Sequence, residues 1–318
     1  MIQMNPQLSP RLLINAAPHI TSNQSTRKIM LDVIIALMPA FVMSGVIFGS
    51  RAIIMTLLCV AFCLLFEFLF RKITKRVNTI SDLSAVVTGI LLAFCLPSTL
   101  PFWMAIIGCF VAIVIVKQLF GGLGQNFVNP ANTARVVLLL SFSTPMTSWL
   151  IPLPHGINAV TGSTPLALLA MDKLELIPSN MEMFLGFIGG SLGETCALAL
   201  LIGGVYLVIR KVVHPVIPLS FLGTITVISL LVGQDPIFHI CAGGAMLCAF
   251  FIATDYTTSP VSILGRAIFG IGCGGLTMII RLFGSYPEGV SFAVLFMNLL
   301  VPLIDNIFCK KLKRGFRE

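Results

Sequence analysis

The sequence is poor in charged residues. Only 10% of its 318 residues are Asp, Glu, Lys or Arg, whereas an ordinary soluble domain carries about 25%. Apolar residues make up 57% of the chain, and the mean hydropathy is +1.01. A soluble enzyme, a disordered chain and a nucleic-acid-binding module all need more polar surface than this. The composition therefore predicts an integral membrane protein in a lipid bilayer, with no nucleic acid as partner.

Signatures of several other site types are also missing. The nine cysteines form no CxxC pair, and nearly all lie in apolar runs, so we interpret them as small buried hydrophobic residues. Cys59 and Cys63, four residues apart on one helical face, leave a metal site open as an alternative. The four histidines have no metal-ligand spacing. We expect no metal, no catalytic side chain, and no signal peptide in the polar first 28 residues.

Long apolar stretches predict an all-α fold with about ten transmembrane helices, since one crossing needs about 20 residues. The stretches are 29–49, 52–70, 84–97, 101–117, 133–149, 184–209, 216–233, 237–253, 262–280 and 289–309. The third is short and ends at Pro97, and the sixth is interrupted around Gly189 and Gly193. Broken segments of this kind offer backbone groups to a ligand.

Ten spans are compatible with a five-plus-five inverted repeat. Two proline-led helix starts, Asn129-Pro130 and Ser259-Pro260, follow spans four and eight. These are not equivalent positions in such a repeat, so they give it no support.

The distribution of basic residues predicts the orientation. With the N-terminus in the cytoplasm, sixteen of the twenty Lys and Arg residues fall on the inner side, as the positive-inside rule requires. The predicted organisation is a cytoplasmic segment 1–28, a membrane domain 29–309 and a basic cytoplasmic tail 310–318. A long connection at about 150–183 then lies on the outer side.

This outer connection contains Asn158-Ala-Val-Thr161-Gly162-Ser163-Thr164-Pro165. The spacing is typical of a Ser/Thr turn before an amphipathic helix around 166–176, with Thr164 as N-cap and Pro165 at the first helical position. A modified hydroxyl is an alternative that the spacing alone does not require.

On the inner side, Gly121-Gly-Leu-Gly-Gln-Asn126-Phe-Val-Asn129-Pro130 is rich in glycine and amides. Glycines permit positive φ and close backbone approach, and two amides three residues apart suit a planar heterocycle such as a flavin ring. The segment suits a tight membrane turn equally well.

Acidic residues inside a membrane protein are functional candidates, because burying them is costly. Glu67 is four residues before Arg71, which indicates a helical ion pair. Asp305 is within reach of the basic tail. Glu194, in the interrupted sixth stretch, and Asp255, which opens an Asp-Tyr-Thr-Thr-Ser-Pro turn, are the better candidates for an ion path.

Across nearly its whole length the sequence resembles the D subunits of Rnf-type ion-translocating oxidoreductases, and it is similar to the paralogous B subunit of the sodium-pumping NADH:quinone reductase. The resemblance rests on Gly121–Asn126 with Asn129-Pro130-Ala131, on Thr161-Gly162-Ser163-Thr164, and on Thr258-Ser259-Pro260. It implies a fold like that of urea channels.

The resemblance also implies cofactors. In the family, a motif Asp-x-x-Ser/Thr-Gly-Ala/Ser-Thr carries FMN as a phosphoester on its last threonine, here Thr164, with Thr161, Gly162 and Ser163 as recognition context. Asn158 stands where the family usually has Asp. Some members also hold non-covalent riboflavin, for which Asn126 and Asn129 are candidate contacts.

The implied function is electron relay, without catalysis by the chain alone, in a ferredoxin:NAD oxidoreductase that moves sodium or protons. Implied partners are the A, B, C, E and G subunits of the Rnf complex and a flavin transferase for maturation. The implied location is the bacterial inner membrane, with both termini cytoplasmic and the Thr164 loop outside. The alternatives are a channel or secondary transporter without a redox cofactor, and, less favoured, a scaffold.

Overall fold

The computed structural model describes residues 25–77, 79–153, 156–284 and 288–315. The described chain is mainly helical. Its helices are α1 (Thr26–Phe48), α2 (Ser50–Ile73), α3 (Ser84–Phe94), α4 (Phe102–Phe110), α5 (Pro130–Ser141), α6 (Ser143–Met146), α7 (Pro165–Ala170), α8 (Asn180–Leu185), α9 (Ala197–Ile209), α10 (Val216–Val232), α11 (Pro236–Cys241), α12 (Ala245–Leu247), α13 (Ile263–Phe283) and α14 (Val290–Gly315). Short 3-10 turns cover Ile80–Asp82 and Leu174–Leu176, and π-helical turns extend α4 over Val111–Gln118 and α12 over Cys248–Ile252.

Four helices in the described part are long and apolar enough to cross a bilayer by themselves. They are α1, α2, α13 and α14, of which α14 qualifies over Val290–Phe308. The shorter apolar helices α3, α4 with its π turn, α9 and α10 accompany them. Many large apolar side chains on these helices are exposed, as expected for a surface that faces lipid. The protein is a multi-pass helical membrane protein.

Each of the ten predicted stretches contains a helix, but several bounds were wrong. The fifth helix, α5, ends at Ser141 and not near 149, because Phe142 leaves the helical conformation and Pro145 cannot extend the hydrogen-bond ladder. In the sixth stretch the apolar helix is α9, which has only 13 residues, and residues 186–196 are irregular. In the eighth, Gly243 and Gly244 (φ +60° and +70°) separate α11 from α12. The number of full crossings therefore stays a prediction.

Two further expectations need correction. Helix α13 begins at Ile263 with the Ser262 hydroxyl accepting from Gly265 N–H at 3.0 Å, so Pro260 is not at a helix start. The predicted amphipathic helix around 166–176 is only the six-residue α7 followed by a 3-10 turn.

The interrupted third and sixth stretches meet in space. Backbone N–H groups of Leu192 and Gly193 donate to the carbonyls of Leu96 and Phe94, at 3.0 and 3.1 Å. Each segment thereby gives hydrogen-bond partners to backbone N–H or C=O groups of the other. Inside a membrane such partners must come from the protein, because no water is there to supply them.

Glycines bring two helix pairs into close contact. A Cβ on Gly203 of α9 would lie 2.0 Å from the carbonyl oxygen of Ala36 in α1. On α13, Gly270 and Gly274 form a GxxxG pattern against α10, where a Cβ on Gly274 would lie 2.6 Å from the Phe221 carbonyl. Small residues at such spacing are the usual means of close helix packing in membranes.

A β-hairpin that the sequence pattern did not predict follows α6. Strands β1 (Trp149–Leu153) and β2 (Gly156–Gly162) pair antiparallel, with Trp149 opposite Gly162 and an irregularity between Ile151 and Leu153. The intervening Pro152 lacks an N–H for the ladder. Strand β2 ends at Gly162, two residues before Thr164.

Candidate functional site

A cavity of about 310 Å³ lies at the end of the helix bundle next to the hairpin, and Thr164 is in its wall. We call it the outer cavity. It is lined by Arg135, Leu139, Thr147, Trp149, Gly162, Ser163, Thr164, Ala167, Met171, Glu288, Gly289, Ser291 and Phe292. Its volume is at the lower end of the range of small-molecule sites, about 300–1,000 Å³.

Thr164 occupies the position that its spacing predicted. It is the N-cap of α7, its hydroxyl oxygen accepts from Ala167 N–H at 3.3 Å, and Pro165 is the first helical residue. The side chain is buried, yet it lines the outer cavity. Gly162 and Ser163 line the same cavity. Thr161 pairs with Leu150 through the backbone of β2, and its side chain lies outside the described residues.

A buried ionic cluster closes one side of the outer cavity. The guanidinium of Arg135 contacts both carboxylate oxygens of Glu194. Its Nη2 also donates to Glu288 Oε2 at 2.9 Å, and Ser191 Oγ lies 3.5 Å from it. One guanidinium thus serves two carboxylates, one of which is on the cavity wall.

The environment of Glu288 favours its neutral form. Burial raises the pKa of the Glu288 carboxyl to about 7; Arg135 opposes the rise and Glu194 adds to it. Arg281 lies nearby and donates to the carbonyls of His239 and Ala242 at 2.6 and 2.8 Å.

A second, small cavity, of about 80 Å³, lies at the opposite end of α5, and we call it the inner cavity. Asn126, Asn129 and Asp255 line it together, so the structure brings the predicted amide pair and one predicted acid to one place. Most other lining residues are apolar, among them Met30, Leu91, Leu207 and Phe250. An apolar pocket with a few convergent polar groups is the usual form of a ligand site.

Both amides are partly engaged by local structure. Asn129 caps α5 by accepting from Asn132 N–H at 3.1 Å, and its Nδ2 lies 3.5 Å from Asp255 Oδ2. Asn126 Nδ2 donates to the Val128 carbonyl at 3.2 Å. Asp255 also accepts from the Thr257 hydroxyl at 3.1 Å. The segment is therefore both a membrane turn and part of a cavity wall.

The inner cavity contains a cation that sequence reasoning missed. Lys117, which the positive-inside count assigned to an inner loop, is buried in the wall of the cavity. Its ammonium donates to Glu67 Oε2 at 2.9 Å and to Ser84 Oγ at 2.6 Å. The predicted Glu67–Arg71 pair is present only at 3.9 Å, so Lys117 is the closer partner.

The two remaining acid predictions have different outcomes. Glu194 is paired with Arg135, while Asp305 accepts from Val261 N–H at 3.1 Å. Cys59, Cys63 and Cys109 are buried together, with Cys109 Sγ 3.6 Å from the Cys59 carbonyl. Within the described ranges, no three His, Cys, Asp or Glu residues are arranged to hold a metal ion.

Helix α5 connects the two cavities. Ala131 lines the inner cavity and Arg135 lines the outer one, and four residues of α-helix correspond to a rise of about 6 Å. Neither cavity places a Ser, Cys or Lys nucleophile next to a histidine base among its lining residues.

Fold and cavities thus define a multi-pass membrane protein with an interhelical cavity toward each end of its bundle. The chain belongs to the NQR2, RnfD, RnfE family, whose sequence pattern matches residues 13–313.

Several relatives match along almost the whole chain. The sequence is 50% identical over 298 residues, 93% of each chain, to the D subunit of the Na(+)-translocating ferredoxin:NAD(+) oxidoreductase complex of Acetobacterium woodii. It is 39% identical over 96% of each chain to the D subunit of the proton-translocating ferredoxin:NAD(+) oxidoreductase complex of Clostridium ljungdahlii. The D subunit of the ion-translocating oxidoreductase complex of Stutzerimonas stutzeri is 40% identical, over 89% of this chain and 90% of that one.

Proposed function

We propose that this chain is the electron-relay D subunit of an Rnf-type, ion-translocating ferredoxin:NAD(+) oxidoreductase, with FMN joined covalently to Thr164. Relatives with this activity in their names align over almost the full chain. The observation that carries the cofactor proposal is the placement of Thr164, which caps α7 and lies in the wall of a cavity of about 310 Å³.

The side chains around Thr164 fit such a group. Trp149 and Phe292 supply apolar surface for a planar ring, while Ser163 and Thr147 supply hydroxyls. Arg135 is the cation nearest the cavity wall, although Glu194 and Glu288 already share its charge. Bound FMN would supply reversible electron transfer, and the protein would hold the ring, exclude water and set the local charge.

For the inner cavity we propose non-covalent riboflavin, which would require the lining side chains to move apart, because the cavity holds only about 80 Å³. Asn126 and Asn129 would present amides to the ring edge, within an otherwise apolar cavity. The Lys117 ammonium would add a positive charge at the same wall. Because α5 separates the cavities by about one helical turn, electrons would have a short path between two such groups.

In the same proposal, Glu194 and Asp255 remain candidates for the path of sodium or protons. Asp255 is the better of the two, because it lines the inner cavity and its polar contacts are to neutral groups. Glu194 would have to exchange its contact with Arg135 for an ion.

The proposed setting is the bacterial inner membrane, with both termini cytoplasmic and the hairpin end outside. The chain would assemble with the A, B, C, E and G subunits of the Rnf complex, and a flavin transferase would modify Thr164. The flavin would then be on the outer side, in the outer cavity.

One observation favours a second candidate, a channel or transporter. The irregular segments 95–101 and 186–196 hydrogen-bond to each other between the helices. Broken helices of this type form the substrate and ion sites of transporters with inverted repeats.

In-gel flavin fluorescence separates the two candidates. The chain is expressed with an active flavin transferase, and the denatured band is examined under ultraviolet light and by intact mass. The redox proposal expects a fluorescent band that is heavier by one FMN. Thr164→Val should abolish both signals, whereas Thr147→Val, which removes another hydroxyl from the same cavity, should keep them. A dark, unmodified wild-type band would reject the covalent flavin and favour the transporter.

A further inference from the structure

A third cavity carries positive charge and has no part in the proposed electron relay. Its volume is about 400 Å³, and it lies where α9 ends and where α10 and α13 begin. We call it the basic vestibule. It is lined by Val208, Lys211, Val212, Val213, His214, Pro215, Ile217, Thr254, Tyr256, Ser259 and Arg266. Two cations and a histidine line it, and none of these lining residues is an acid.

The cationic groups retain hydrogen-bond donors for a ligand. Lys211 makes no side-chain hydrogen bond or ion pair within the described residues, so its ammonium group can donate to a ligand. Arg266 uses only Nε, which donates to the Pro260 carbonyl at 3.0 Å, so both terminal nitrogens remain available. His214 Nδ1 accepts from Val216 N–H at 3.4 Å, which leaves Nε2 as the donor of the neutral ring.

The neighbouring carboxylates are occupied elsewhere. Asp32 accepts from Arg210 and from the Tyr206 hydroxyl, at 3.3 and 3.1 Å. Asp255 faces the inner cavity, and Asp305 accepts from Val261 N–H. Within the described residues, none of these carboxylates forms an ion pair with Lys211 or Arg266.

The vestibule lies beside exposed apolar side chains at the ends of three helices. It lies at helix ends, at the end of the bundle for which we propose the cytoplasmic side. Ile209, Leu219 and Ile263, which belong to the three helices around it, are 73%, 70% and 63% exposed. Apolar side chains this exposed on membrane helices can lie against acyl chains, directly beside a site for a charged headgroup.

We propose that the basic vestibule binds the phosphate of an anionic phospholipid headgroup, through Lys211, Arg266 and His214. Basic pockets between membrane helices on the cytoplasmic side recognise such headgroups, and charge-assisted hydrogen bonds to phosphate are among the strongest polar contacts. The proposal is independent of the flavins. A bound headgroup would also cover one side of the inner cavity, since the two cavities share Val212, Val213, Thr254 and Tyr256.

The test compares lipid binding by matched variants of the full chain. The protein is purified in detergent and titrated with phosphatidylglycerol or phosphatidylcholine, and bound lipid is counted by native mass spectrometry. Wild type should retain phosphatidylglycerol selectively. Lys211→Gln with Arg266→Gln should weaken that binding about 30-fold, or about fivefold for each cation removed.

The control is Lys75→Gln with Arg76→Gln, which removes the same two charges from exposed positions after α2. It should leave the selectivity unchanged. Lys211→Arg with Arg266→Lys keeps the charge and should bind as wild type, which guards against a folding defect in the neutral variant. Equal loss in the control, or undiminished selectivity in the neutral variant, would overturn the proposal.

Inorganic phosphate is the second probe. If it raises the melting temperature of the delipidated wild type while phosphatidylglycerol does not, then the ligand is a soluble anion and the lipid assignment is wrong. Stabilisation by phosphatidylglycerol that excess phosphate does not reproduce supports the lipid headgroup.

Discussion

Replacing Lys117 by Met should destabilise the protein strongly, because it leaves a carboxylate without its main partner inside the bundle. Glu67 is completely buried and accepts from the Lys117 ammonium at 2.9 Å. After the change, Glu67 keeps the Thr79 hydroxyl at 2.7 Å and the guanidinium of Arg71 at 3.9 Å. Met has nearly the length of Lys, so the apolar packing of the stem is retained.

The magnitude follows from these contacts. Removing one partner of a buried ion pair typically costs about 3–5 kcal/mol. The remaining contacts of Glu67 place the expected loss at the low end, about 3 kcal/mol. For a chain of this size that corresponds to a fall of about 6 °C in melting temperature. Glu67→Gln combined with Lys117→Met should recover most of the loss, because no charge is then left unpaired.

Cysteine accessibility gives a suitable assay. Eight cysteines of the described chain are buried, so a thiol-reactive fluorescent dye reports unfolding in detergent. Lys75→Met, at an exposed lysine near the same end of α2, should leave the melting temperature unchanged. If Lys117→Met has the same melting temperature as the wild type, or if the double variant is less stable than Lys117→Met, the buried pair does not have the role we assign to it.

Two further predictions concern helix packing and pH. Gly274→Ala should lower the melting temperature, because the added methyl group would push α13 away from α10. The control is Gly275→Ala on the same helix, where a Cβ meets nothing within 4 Å, and it should be neutral or slightly stabilising. Equal effects of the two substitutions would refute the close contact. Burial raises the pKa of Glu288 from 4.5 to about 7. As the pH rises, the Glu288 carboxyl therefore loses its proton at a lower pH in the unfolded chain than in the folded one. The stability contributed by Glu288 falls between about pH 4.5 and pH 7 and is constant above pH 7. Glu288→Gln should flatten that slope in thermal melts at pH 5 and pH 8, and an unchanged slope would contradict the assignment.

The features that could be predicted from sequence depend on neighbouring residues. Apolar runs locate the helices, since each span needs a continuous stretch of hydrophobic side chains. The caps at Asn129-Pro130 and Thr164-Pro165 were predicted correctly, because a cap involves only a side chain and an N–H three residues later. At Ser259-Pro260 the same reasoning was wrong, because Ser262 is the cap of α13. Hydropathy also missed the hairpin, whose strands lie in a moderately apolar connection.

The ionic clusters and cavities required the three-dimensional fold. Lys117 meets Glu67 from 50 residues away, and Arg135 joins Glu194 and Glu288 from 59 and 153 residues away. No periodicity along one helix can reveal such pairs, because helical spacing relates only residues three or four apart. Sequence alone could name Thr164 and the Asn126–Asn129 pair as candidates. Only the packing of α5 between distant segments shows that they line separate cavities toward opposite ends of one helix, each with a buried charge at its wall.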